Sequence, residues 1–97
     1  MIETDIQTAS IRIEGPMTVY EAAEIRDTLT RAFLRTGEAG VTLDLSAVES
    51  CDAAGVQILC AARRTAREAG TPFRVTGASE AVNGALRSAG LTSKEMM

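Results

Sequence analysis

Residues 50–59 read SCDAAGVQIL, and the order of types is suggestive. An acid, Asp52, stands directly before Ala53, Ala54 and Gly55, and an apolar run follows. The stretch VTLDLSAVE, a strand and its exit, comes immediately before. Strand-to-helix turns of this kind carry nucleophiles or regulated hydroxyls, because the turn exposes one side chain at the open end of a helix. Here the turn offers methyl groups. The rest of the chain supplies no substitute. It has no histidine, so a Ser-His or Cys-His pair is impossible. Its carboxylates are plentiful, but none pairs with another in a predicted concave site, and each reads as part of a solvated face. Cys51 and Cys60 lack metal-type spacing. They read as two reduced, partly buried thiols; the alternative is a redox pair, but two helical turns would hold the sulfurs too far apart for a bond. GEAG at 37–40 and SAG at 88–90 are helix ends, with neither a GxGxxG loop nor a Walker lysine. The expectation is a protein that is not an enzyme, with no cofactor and no metal.

The elements that must position this turn follow from periodicity. Residues 2–14 alternate: Ile2 and Ile6 lie on one phase against Glu3, Asp5 and Gln7, then Ile11 and Ile13 against Ser10, Arg12 and Glu14. That predicts two short half-buried strands in a hairpin, with Gly15-Pro16 ending the second. Thr18 and Glu21 form a capping box for a first helix, whose apolar stripe is Ala22, Ile25, Leu29, Ala32 and Phe33. Asp27 can pair with Arg31 on its outer face, and Gly37 and Gly40 stop it. VTLDLS at 41–46 is a third strand. A second helix runs from about Ala53 to Ala69, with Asp52 as N-cap, Gly70 as C-cap and Pro72 beyond. Its exposed stripe is Gln57, Ala61, Arg64 and Glu68, with an Arg64–Glu68 pair. Ile58, one place off that stripe, is either core, the preferred reading, or a partly exposed contact. Phe73 and Val75 alternate with Arg74 and Thr76 in a fourth strand. Ser79 caps a third helix through Val82, Ala85, Leu86 and Ala89, and Gly90-Leu91 reads as a Schellman ending.

The predicted fold is thus α/β, a single domain over 1–97 with its core at about 2–91 and a frayed tail at 92–97. It has a four-stranded mixed sheet in the order β-β-α-β-α-β-α. Sheets covered on both faces have strands that are apolar throughout; these alternate, so the helices should lie mainly on one face. Thr42, Asp44, Arg74 and Thr76 are left on an open polar face. A formal net charge of −3 argues against nucleic acid and against a polybasic membrane attachment. No apolar stretch approaches the ~18 residues of a membrane span, and the N-terminus has no apolar signal core. A cytoplasmic location without membrane insertion is expected.

The stretch from VTLDLSAVESCDAAG through REAG, FRVTG and ASEAVNGALRSAGL, together with EGPMTVYEAAEIRDTL before it, closely resembles the STAS domain (sulfate transporter and anti-sigma factor antagonist) over residues 10–91. The wording around MTVYEAAEI and DAAGVQIL is most similar to short stand-alone bacterial proteins of chemotaxis-like and other signalling systems. The resemblance implies an anti-sigma factor antagonist-like module that docks a kinase-type anti-sigma factor, a histidine-kinase-like ATPase, or a chemotaxis-like signalling protein. In such antagonists the residue after the turn's aspartate is a Ser or Thr that the partner phosphorylates to break the complex. That position is Ala53 here, so the implied binding is phosphorylation-independent; Ser46 and Ser50 lie upstream in the strand exit. The partner-binding residues expected are Met17, Thr18 and Tyr20 of the PMTVY loop, with Asp52, Ala53, Ala54, Gly55, Gln57 and Ile58; the small residues are expected to let a partner's backbone approach. An alternative implied role is an accessory subunit bracing the ATPase of an ABC-type lipid transporter. A nucleotide-binding role is the weakest reading.

Overall fold

In a computed structural model of the chain, residues 2–5, 10–36 and 40–91 are described. The strands are β1 (Ile2–Asp5), β2 (Ser10–Met17), β3 (Val41–Cys51) and β4 (Phe73–Thr76). The helices are α1 (Ala22–Thr36), α2 (Ala53–Ala69) and α3 (Glu80–Ser88). The sheet runs β1-β2-β3-β4; β1 is antiparallel to β2, and β2, β3 and β4 are parallel. Each parallel pair is joined by a helix, α1 between β2 and β3 and α2 between β3 and β4, as parallel neighbours require.

The strands alternate because only one face of the sheet is packed. Ile11, Ile13, Val41, Leu43, Leu45 and Val75 are buried and join Ile25, Leu29 and Phe33 of α1, Val56, Leu59, Ala62 and Ala66 of α2, and Val82 and Leu86 of α3 in one core. The other face keeps Arg12, Arg74 and Thr76 exposed and Thr42 and Asp44 half-buried. Arg12 lies opposite Asp44 in register, and Asp44 lies opposite Thr76. The α/β class and the one-sided helical layer therefore follow from the alternation. Ile6, Gln7, Gly37 and the tail at 92–97 lie outside the described residues.

Two strand boundaries differ from expectation. Gly15-Pro16 does not end β2, which continues to Met17, and β3 continues past Ser46 to Cys51. The pairing of β2 with β3 slips between Arg12 and Glu14 and again between Gly15 and Pro16, each time with one extra residue on β3. A bulge leaves a residue unpaired and tolerates a proline that a regular ladder would exclude. It also shifts the side-chain phase: after Leu45 the next buried residue of β3 is Val48, not Ala47. Alternation read at strict period two stops at Ser46 for this reason.

The helix ends of α2 and α3 lie where their caps place them. Gly70 takes a left-handed φ of 68° at the end of α2. At the end of α3, Leu91 N–H donates to the Leu86 carbonyl at 2.8 Å and Gly90 N–H to the Arg87 carbonyl at 3.0 Å, the bond pair of a Schellman ending. The start of α1 differs. Thr18 N–H donates to Glu21 Oε1 at 2.9 Å, which is half of a capping box, but Thr18–Glu21 forms a separate turn and the helix begins at Ala22. Neither helix-surface pair forms as an ion pair among the described residues, where Arg12–Glu14 at 3.5 Å is the one salt bridge. Arg31 Nε instead donates to the Asp27 carbonyl.

Candidate functional site

The site is built at the end of the sheet where β2 and β3 finish. Met17 and Cys51 are the last paired residues of the two strands. The chain leaves Met17 into the turn 18–21 and leaves Cys51 through Asp52 into α2. Asp52 has extended backbone, and its Oδ1 accepts from Gly55 N–H at 3.1 Å, the N-cap bond. Its Oδ2 accepts from Val19 N–H at 3.1 Å, across the gap to the β2–α1 turn. These bonds favour the ionised carboxylate: Val19, then Gly55 and Ala54, hold the Asp52 pKa below its ordinary value of 3.8. Glu21 is likewise lowered, first by the Thr18 hydroxyl, which donates to Oε1 at 2.6 Å, and then by the Thr18 N–H. Burial raises the Cys51 thiol, and the Asp52 charge beside it adds to the effect. Cys51 is thus poorly placed to act as a thiolate. Cys51 and Cys60 are both free and half-buried.

The surface around this junction is apolar and small. Tyr20 is 90% exposed and Val19 60% exposed at the turn. Ala53 and Gln57 are exposed on α2, and Ala54 is half-buried. Beside them runs a groove of about 400 Å³, walled by Cys51, Asp52, Ala53, Val56 and Gln57 on one side and by Ala85, Ser88 and the C-cap Ala89 of α3 on the other. The junction therefore holds an apolar notch between two helices and a hydrogen-bonded loop that carries an exposed aromatic. Such a surface can seat a protein side chain. Among the described residues, no group of three or more His, Cys, Asp or Glu side chains could hold a metal ion.

The expected partner residues divide by exposure. Thr18, Tyr20, Asp52, Ala53, Ala54 and Gln57 come together at this end of the molecule. Met17 is in the core, 0% exposed, and can meet a partner only through rearrangement. Ile58 is 8% exposed; it lines a second groove, of about 160 Å³, between α1 and α2, with Leu29 and Phe33. The core reading of Ile58 holds, because its position on α2 faces α1. Gly55 is small for an internal reason, and this corrects the expectation that it admits a partner: it is buried, and a Cβ there would stand 2.5 Å from the Met17 carbonyl oxygen and 2.7 Å from Cys51 Sγ. Sequence reading missed the α3 wall. The helix expected through Val82, Ala85, Leu86 and Ala89 has Val82 and Leu86 in the core, while half-buried Ala85 and exposed Ser88 and Ala89 line the same groove as Ala53. Val19 of the PMTVY loop also belongs to this surface, and its sequence signal is an apolar residue beside an aromatic in a turn.

Comparison with known proteins bears on the family and the fold. The family model described as "Mlab, STAS domain" matches residues 1–97. Among solved structures, one described as "Crystal Structure Analysis of Mglu" superposes with a TM-score of 0.63 at 25% sequence identity, over 78% of this chain and 19% of that chain. This chain thus spans about a fifth of that structure's length.

Proposed function

Since the chain belongs to the STAS domain family, whose members are regulatory and binding modules, we propose that it is a non-enzymatic signalling module of the anti-sigma factor antagonist kind. It docks a kinase-type anti-sigma factor or a chemotaxis-like signalling protein through the Asp52–Gly55 turn, the Val19–Tyr20 loop and the first turns of α2. The observation that carries the reading is the company Ala53 keeps: an exposed residue that lines an open apolar groove and follows Asp52, whose carboxylate holds the loop carrying the 90% exposed Tyr20. Unpaired apolar surface on a small domain marks a contact site. Ala53 and Ala54 at its centre admit close approach, and Tyr20 supplies an anchor of the type that dominates interface energies.

The mechanism follows from the missing hydroxyl. A phosphate on residue 53 would add nearly two negative charges next to Asp52 and disrupt an apolar contact. Alanine cannot carry one, so the partner cannot release itself by phosphorylating this turn. Binding is set by the amounts of the two proteins or by the state of the partner. Replacing Ala53 with Asp introduces the charge that phosphorylation would bring and should weaken the complex, while the exposed site lets the variant fold. If Ala53→Asp binds a purified partner as tightly as the natural chain, the turn is not the interface.

The same absence favours a second reading. A subunit that permanently braces the ATPase of an ABC-type lipid transporter needs no release switch, and Ala53 suits it equally. Affinity isolation separates the two readings: a signalling kinase co-purifies in one case and an ABC ATPase in the other. No helix among the described residues is long and apolar enough to cross a membrane.

A further inference from the structure

We infer that Asp52 is a coupling residue as well as a helix cap: its two carboxylate oxygens fasten the Val19–Tyr20 loop to the first turn of α2, so that the two halves of the exposed surface are positioned as one unit. The loop's other hydrogen bonds stay within the turn or run on into α1, where Ile25 N–H donates to the Glu21 carbonyl at 3.1 Å. Thr18 N–H and Oγ1 both donate to Glu21 Oε1, Glu21 N–H returns to the Thr18 carbonyl at 3.0 Å, and Tyr20 N–H points at Thr18 Oγ1 at 3.4 Å. These bonds knit the turn together and tie it to α1, and none of them reaches α2. Among the described residues, the hydrogen bond from this turn to the cap of α2 is the one from Val19 N–H to Asp52 Oδ2 at 3.1 Å. Beneath it, Gly55 lies close against the Met17 carbonyl, so the root of the loop and the first turn of the helix are already packed together.

The choice of residue type follows from acceptor geometry. Ser and Thr cap helices well with a single oxygen, which is committed to the helix N–H. Asn has one acceptor oxygen, and its NH₂ group cannot accept from Val19 N–H. Of these short side chains only the carboxylate has two acceptor oxygens, so each N–H group takes one of its own while the cap is kept. The coupling stands on these bonds without reference to any partner; its effect on docking rests on the reading above. There, a loop already held in place spares the partner part of the entropy of ordering Tyr20.

Amide hydrogen exchange, followed by NMR on the natural chain and on Asp52→Ser and Asp52→Asn, tests the coupling. Ser keeps the cap, so Gly55 N–H should stay protected, while Val19 N–H should exchange about tenfold faster or more, the worth of one charge-assisted bond. Asn should behave likewise. Equal Val19 protection in all three proteins would overturn the inference. If neither variant folds, the natural chain carries the test. On acidification the Val19 and Gly55 amide resonances should move together, with one midpoint below 3.8. The other titratable groups at the junction are Glu21 on the loop and Cys51 on β3; Glu21→Gln removes the first, and the second stays neutral under acid. A Val19 resonance that ignores the midpoint seen at Gly55 would overturn the inference equally. No partner enters either measurement, so a failure of coupling is distinct from a failure of docking. If exchange behaves as expected but Asp52→Ser binds a purified partner normally, the docking reading falls and the coupling stands.

Discussion

Gly55 and Ala53 stand two positions apart in the same turn of α2 and answer to different constraints. Gly55 is small because the Met17 carbonyl, a backbone atom that cannot swing away, occupies the space a Cβ would need. Gly55→Ala should therefore cost about 1–3 kcal/mol, the usual range for overpacking, read as a lowered urea midpoint. Ala53 is exposed, and Ala53→Ser should leave the midpoint unchanged within about 0.5 kcal/mol. That variant restores a hydroxyl at the turn. If the partner is a kinase of the expected kind, Ala53→Ser should take up phosphate and the natural chain should not take it up there. Tyr20→Ala should behave as a surface change for stability while weakening partner binding by about tenfold or more, as loss of an aromatic anchor does. The acid response is also set at this scale. Asp52, Glu21 and Asp44 all have folded-state pKa values below their ordinary 3.8, 4.5 and 3.8, the last through the Ser46 N–H and hydroxyl. Each contributes stability that is present above its ordinary value and is lost as pH falls through the lowered one. Urea unfolding should give a flat stability near neutrality that declines once the pH drops into this range. A decline that begins near neutral pH would contradict the assignment.

At the scale of elements, caps and periodicity were legible and register was not. Asp52 and Gly70 bound α2 where the sequence places them, and Ser79, Gly90 and Leu91 do the same for α3. These signals are local: each is one side chain or one glycine acting on the nearest turn of backbone. The overrun of β2 through Gly15-Pro16 and of β3 to Cys51 depends on two bulges between strands, and no residue near Pro16 announces what Ser50 will do. The capping box of Thr18 and Glu21 was legible as a bond pattern but serves a turn instead of the first turn of α1. The site was half legible for the same reason. The turn at 52–55 and the PMTVY loop carry their own chemistry in sequence, whereas the α3 wall at Ala85, Ser88 and Ala89 reaches the groove only through tertiary packing. The inward stripe of α2 gives a test at this scale. Leu59 is completely buried, and Leu59→Ala should cost about 2–5 kcal/mol, monitored by thermal unfolding.

For the whole molecule, the division of the sheet into a packed face and a polar face leaves three kinds of surface: the outer helix faces, the open sheet and the junction at the strand ends. The helix faces carry the separated charges Arg64 and Glu68 and one exposed leucine, Leu34, and the sheet carries Arg12, Asp44, Arg74 and Thr76. The junction alone combines an exposed aromatic, small apolar residues and a groove, which is why the docking role is placed there. The most direct test is a binding titration of a purified partner against the natural chain, Ala53→Asp at the junction and Arg74→Glu on the open sheet face. The docking account predicts at least about a tenfold loss of affinity for Ala53→Asp, a desolvation penalty of more than ~1.4 kcal/mol, with Arg74→Glu close to the natural chain. Unchanged affinity for Ala53→Asp together with a loss for Arg74→Glu would move the interface to the sheet and contradict the account.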